Sequence, residues 1–259
     1  MSQSLNELCR AARQLIQADQ LLTGGGVYPG SPLPDPSPPP AQSQAAQVQS
    51  GDGNAAAPTD QQAALDALDQ AEVRSCRRCR LADGRTQTVF GEGSPNAQIM
   101  FIGEGPGEEE DRQGRPFVGR AGELLTRMIA GMGLSRRQVY IANVVKCRPP
   151  GNRAPMVDEA AACRDYLVRQ IQIIRPKVLV TLGNPATHAM LQTTEGITKI
   201  RGQWRPLPPT APLLEGIMVM PTFHPAYLLR SYTYENRKAV WSDLCQVLEF
   251  LNLPVPQKM

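Results

Sequence analysis

The apolar run Ala97–Ile102 rises directly into a glycine-rich, acidic turn, GEGPGEEEDRQGRPFVG, over Gly103–Gly119. No other stretch restricts the fold of this chain as much. Apolar residues discharging into glycines describe a buried parallel strand that ends in a ligand-binding loop, which is the grammar of an open α/β sheet. The loop does not suit a dinucleotide. Gly103, Gly105 and Gly107 alternate, and Glu108 stands where a dinucleotide fingerprint requires its third glycine. Glu108, Glu109, Glu110 and Asp111 would repel a pyrophosphate. The pocket is therefore expected to handle something other than nucleotide phosphates.

Similar alternations recur downstream. Strands are expected at Ile99–Gly103, Val139–Val145, Val178–Leu182 and Ile217–Pro221. Helices are expected at Ala121–Met132, Val157–Ile174, Pro185–Leu191 and Glu235–Leu251, with another from Thr59 or Asp60 through Glu72. Such alternation implies a mostly parallel sheet covered on both faces, with ligands at the carboxyl ends of the strands. The acidic glycine loop, Asn143 and the FHPAY segment all fall there. Residues 1–23 have helical spacing, and residues 24–58 are rich in Pro, Gly, Gln and Ser, the composition of a disordered linker. The folded domain is expected over residues 59–259. No apolar run approaches the ~20 residues that span a bilayer, and the first residues lack a secretory core, which points to the cytoplasm.

A reducing compartment gives the cysteines their meaning. Of six, Cys76 and Cys79 form a C-x-x-C, and Cys147 and Cys163 follow sixteen positions apart. Four thiolates suit zinc or an iron–sulfur cluster, and the wide second spacing favours the cluster over a zinc ribbon. The alternative is four unrelated buried cysteines. Cys9 and Cys245 lie apart from this set. The net charge of +3 does not announce a nucleic-acid binder. Basic side chains nevertheless crowd around Arg74–Arg85 and around Lys146, Arg148 and Arg153, the pattern of solvated surface charge.

GEGPGEEEDRQGRPFVGRAGELL, ANVVKCRPPGNRAP, ITKIRG and PTFHPAYLLR, in that order and with all four cysteine positions, resemble the family 4 uracil-DNA glycosylases. The resemblance covers Leu65 to Leu248. After Arg230 the chain reads SYTYENRK where the family often continues with NP. The resemblance implies an α/β fold, a three-layer α/β/α sandwich with a central four-stranded parallel sheet. It implies a 4Fe-4S cluster on Cys76, Cys79, Cys147 and Cys163. It further implies a monomeric prokaryotic repair enzyme, active at the nucleoid, that excises uracil from single- or double-stranded DNA and leaves an abasic site.

The residues can be assigned roles on that basis. Uracil must leave the base stack to be reached. Gly103, Glu104 and Gly105 would form the pocket floor, and Phe117 the surface on which the flipped ring stacks. The Asn143 amide would read uracil N3–H and O4, a pattern that cytosine reverses. The resemblance suggests that Glu110 lies near the C5 edge, where thymine carries its methyl. Only two histidines exist. His224, after a strand, would stabilise negative charge on uracil O2, while His188 lies in mid-helix as a structural residue. Glu104 would orient water or stabilise the cationic sugar. Leu228, Leu229 and Arg230 would fill the gap in the duplex and hold a phosphate. A non-catalytic uracil- or DNA-binding protein on the same fold is the competing reading. The absence of histidine from KCRPPGNRAP argues against a covalently trapping relative, and the acidic loop against a nucleotide-binding redox protein.

Overall fold

The computed structural model of the chain describes residues 60–209 and 214–256. The segments expected as an N-terminal helix and a linker lie outside these residues.

The central sheet contains six strands in the order β1-β3-β2-β4-β6-β5: β1 (Glu92–Gly93), β2 (Ile99–Gly103), β3 (Tyr140–Asn143), β4 (Val178–Leu182), β5 (Arg205–Pro206) and β6 (Met218–Thr222). Strands β3, β2, β4 and β6 pair in parallel, and the two short edge strands pair antiparallel. The sheet is therefore mixed and six-stranded, not four-stranded and wholly parallel. The edge strands are two residues each, too short to leave an alternating pattern in the sequence.

The pleat divides the core in two. Met100, Ile102, Ala142, Leu179 and Val219 face one cluster, with α1 (Asp60–Leu68), α5 (Val157–Ile174) and α6 (Gly183–Leu191) over it. Ile99, Phe101, Ile141, Val180 and Met220 face the other, under α4 (Arg120–Gly131) and α9 (Tyr234–Phe250). Helices on both faces leave the strands dry on two sides, which is why β2 and β4 read as unbroken apolar runs. Short helices fill the connections: α2 (Leu81–Gly84), α3 (Glu108–Gln113), α7 (Ile197–Ile200) and α8 (Pro225–Arg230). The first helix continues as a π-helical turn, Asp69–Val73, before the cysteine segment. Among the described residues no helix is long and apolar enough to cross a membrane.

Register places the functional ends side by side. Gly103 of β2 pairs with Asn143 of β3, so both chains leave the sheet at the same level. Strand β6 ends at Thr222, two residues before His224.

Candidate active site and cysteine centre

Four of the sequence-predicted residues meet at this rim. A side chain at Gly103 would collide with Asn143 Oδ1 and with the Phe117 ring, so only glycine lets all three approach. Asn143 is buried, and its Oδ1 has no hydrogen-bond partner among the described residues. A buried amide oxygen left unpaired is destabilising by about 1–3 kcal/mol, and a ligand that donates to it removes that penalty. The Phe117 ring centroid lies 5.7 Å from that of His224, at an interplanar angle of 33°. An aromatic ring, an open acceptor and an imidazole thus lie together at one rim of the sheet.

His224 is the N-cap of α8, with Pro225 at the first helical position. Its Nδ1 accepts the Ala226 N–H at 3.0 Å. That bond fixes the neutral tautomer with its proton on Nε2, a donor. Burial, reinforced by the Arg230 charge and opposed by Glu110, pulls the imidazole pKa down to about 4. The ring is therefore uncharged at neutral pH and still able to donate. His188 stands elsewhere on α6, its Nε2 2.9 Å from the Glu195 carbonyl.

Glu104 follows Gly103 immediately. Its carboxylate has no hydrogen bond or ion pair among the described residues, and burial raises its pKa. Gly105 lies next, against Val145 and Pro149. Glu110 is placed behind the loop. One carboxylate oxygen accepts Val118 N–H at 2.9 Å and Gly119 N–H at 3.0 Å, and the other accepts Gly107 N–H at 3.1 Å. Both oxygens are thus engaged in holding the segment that carries Phe117. Glu108 and Glu109 pair outward with Arg148 and Arg112, while buried Asp111 accepts Thr86 N–H at 3.0 Å.

Phe117 itself has φ 52°, a left-handed conformation that strains a non-glycine residue by about 1–3 kcal/mol. Its carbonyl points into the position a Gly122 side chain would fill. Two positions depart from expectation. Leu228 is only 2% exposed and belongs to the α4–α9 core, so it is not available to DNA. In a six-residue helix one face must pack inward, and Leu228 takes it, leaving Leu229 partly covered and Arg230 exposed. Lys146 is not surface charge but 1% exposed, its Nζ donating to Asn143 O at 2.9 Å and Gln170 Oε1 at 2.6 Å. The apolar neighbours Val144, Val145 and Cys147, all buried, carried that signal.

Cys76, Cys79, Cys147 and Cys163 line one cavity with Val73, Arg85 and Tyr166, and all four are free thiols. Their surroundings suit anionic sulfur. Arg85 Nη1 lies 3.1 Å from Cys147 Sγ, Lys146 N–H 3.3 Å from Cys163 Sγ, and Arg78 N–H 3.4 Å from Cys76 Sγ. Among the described residues no three His, Cys, Asp or Glu side chains converge closely enough to hold a single metal ion. Four sulfur donors on one cavity, with N–H and guanidinium donors around them, are the ligand set of a thiolate-bound centre. Burial pushes the Cys163 thiol up to about 11 and that of Cys147 above its ordinary value, so a bound cation must expel their protons.

Comparison with known proteins adds independent observations. The model of the uracil DNA glycosylase superfamily matches residues 90–245. A type-4 uracil-DNA glycosylase of Thermotoga maritima is 48% identical over 183 residues, 69% of this chain and 91% of the relative. One from Sulfurisphaera tokodaii is 49% identical over 191 residues, 71% and 83% of the two chains. One from Saccharolobus solfataricus is 47% identical over 191 residues, 70% and 84%. With such coverage at such identity, the chain belongs to the uracil DNA glycosylase superfamily, among its type-4 members.

Proposed function

We propose that this protein is a DNA-repair glycosylase that takes uracil out of DNA and hydrolyses its N-glycosidic bond. The observation that carries the reading is the unpartnered, buried Asn143 Oδ1 beside Gly103, Phe117 and His224. Uracil N3–H is the donor that this oxygen lacks. The amide nitrogen of the same side chain is then directed at O4. Cytosine offers an acceptor at N3 and a donor at its exocyclic amine, leaving both ends of a fixed amide mismatched.

With the base stacked on Phe117, His224 Nε2–H donates to uracil O2. As the bond from C1′ to N1 breaks, its electron pair moves onto the uracil ring and the sugar becomes cationic. The imidazole hydrogen bond strengthens as O2 gains charge, so it favours the transition state over the ground state. No proton needs to leave the ring, which suits a histidine held neutral. The Glu104 carboxylate, without a cation of its own, stabilises the cationic sugar and accepts a proton from the water that adds to C1′. Leu229 and Arg230 on α8 meet the duplex beside the flipped nucleotide.

A 4Fe-4S cluster on Cys76, Cys79, Cys147 and Cys163 is the cofactor this reading includes. It would supply cross-linking, with Cys76 and Cys79 after α1, Cys147 in the loop after β3 and Cys163 on α5 as the residues that would hold it. Support comes from the four free thiols on one cavity and the N–H and guanidinium donors around them. The chain's own contribution is Lys146, which joins Asn143 O to the strand's exit toward Cys147.

The decisive measurement incubates the protein with a single-stranded oligonucleotide containing one uracil, followed by alkali. Strand scission at the uracil position, with free uracil released, is expected. Tight binding without an abasic site would instead make this a non-catalytic uracil reader.

A further inference from the structure

The left-handed backbone of Phe117 is restrained from outside its own loop. Arg136, which precedes β3, donates from Nη1 to Phe117 O at 3.0 Å and from Nη2 to Pro116 O at 2.6 Å. The same Nη1 reaches Thr126 Oγ1 at 3.1 Å. Its Nε donates to Glu92 Oε1 at 2.8 Å, and Arg115 Nε reaches Glu92 Oε2 at 2.8 Å. Glu92 in turn sits on β1, paired with Ile141 of β3. The side chains of Arg136 and Glu92 are 17% and 22% exposed, too covered for a loose surface pair.

We propose that Arg136 and Glu92 are positioning residues for excision, holding Phe117 in its strained conformation so that its ring lies over Gly103 before substrate arrives. The inference rests on the reading of Phe117 as the stacking surface for the base. Two adjacent carbonyls facing one guanidinium form an arrangement that water or a lysine cannot reproduce, because only a planar fork spans both while keeping a carboxylate on its third edge. Glu92 aligns that fork and anchors it to the sheet. On the opposite side of the peptide, Glu110 captures the N–H groups of Val118 and Gly119. Without Arg136 the carbonyls are freed, the backbone relaxes toward negative φ, and the ring moves off the pocket.

A double-mutant cycle on the full-length protein tests this, reading single-turnover excision and inhibition by free uracil. Arg136→Met should lower the rate about tenfold or more, the scale of a small misplacement of a catalytic surface. Free uracil should inhibit it more weakly by a similar factor. Arg136→Lys should recover little, and Glu92→Gln, which keeps an acceptor oxygen, should lose only severalfold. In a Phe117→Ala background, Arg136→Met should cost less than about a further twofold, since the ring it positions is gone. Equal losses in both backgrounds would overturn the clamp while leaving the stacking role intact. A parental rate for Phe117→Ala would overturn the stacking reading and the clamp with it. Should Arg136→Met not fold, Arg136→Lys and Glu92→Gln carry the same cycle.

Discussion

His224 combines properties that a free histidine does not offer together. Its Nδ1 is occupied as a helix cap and its pKa is lowered to about 4, so Nε2 is a neutral donor across the physiological range. A general acid would instead need a pKa near the working pH. Two consequences can be measured. His224→Ala should lower the single-turnover excision rate by ~10²–10³, the scale of losing one oxyanion donor, with little change in affinity for uracil-containing DNA. The pH profile of the same step should show no inflection near the ordinary histidine value of about 6.5. Protonation of His224 occurs only as pH falls toward about 4, and Glu104, its pKa raised by burial, contributes the acidic limb by losing its base form as pH falls. An inflection near 6.5 that disappears in His224→Ala would show a charged imidazole at work. His188→Ala, lacking only the bond to Glu195 O, should excise at the parental rate.

Elements carry a different kind of dependence. The segment between Cys147 and α5 is pinned by one acid, Glu159, whose side chain is fully buried. It accepts Arg153 at 2.7 and 2.8 Å and the Met156 N–H at 2.8 Å, and Arg80 from the C-x-x-C segment stands 3.1 Å away. The Arg153 hydrogen bond leads the forces that hold its pKa down to about 2, against burial. A carboxylate depressed in this way stabilises the fold fully above its ordinary value of 4.5, and the contribution is lost as pH falls toward about 2. Glu159→Gln should therefore lower the thermal midpoint by several degrees at neutral pH, and the difference from the parent should shrink in acid. The elements themselves were unevenly legible. Strands β2 and β4 and helix α5 coincide with their expected bounds, because an apolar run dry on both faces, or a capped 18-residue period, encodes itself locally. The β1 and β5 edges and the four- to six-residue helices α3, α7 and α8 did not, since pairing across the fold holds them. The same reason explains Leu228, assigned to DNA because a six-residue helix has no period to reveal its inward face. That Gly103, Asn143 and His224 lie together was legible because motif and strand end coincide there. Arg136 and Glu92 were not, being remote in sequence from the loop they restrain.

At the scale of the molecule, the family match begins at residue 90 and the described body at residue 60. Deleting residues 1–58 should leave a protein that excises uracil and contains iron and sulfide. Cys9→Ser and Cys245→Ser in the full chain should leave the metal content unchanged. A truncated chain that folds but cannot excise uracil would give the N-terminal region a direct role. The body also places an unusual demand on descent. Gly103 borders the space that the Phe117 ring and the Asn143 amide fill, and Gly122 the space that the Phe117 backbone carbonyl fills. Selection on base excision therefore reaches residues with no chemistry of their own, through the volume they leave empty. A lineage can exchange an arginine on the DNA-facing rim in one step. To place a side chain at Gly103 it must move an aromatic ring and an amide together, and at Gly122 it must displace the backbone that carries that ring.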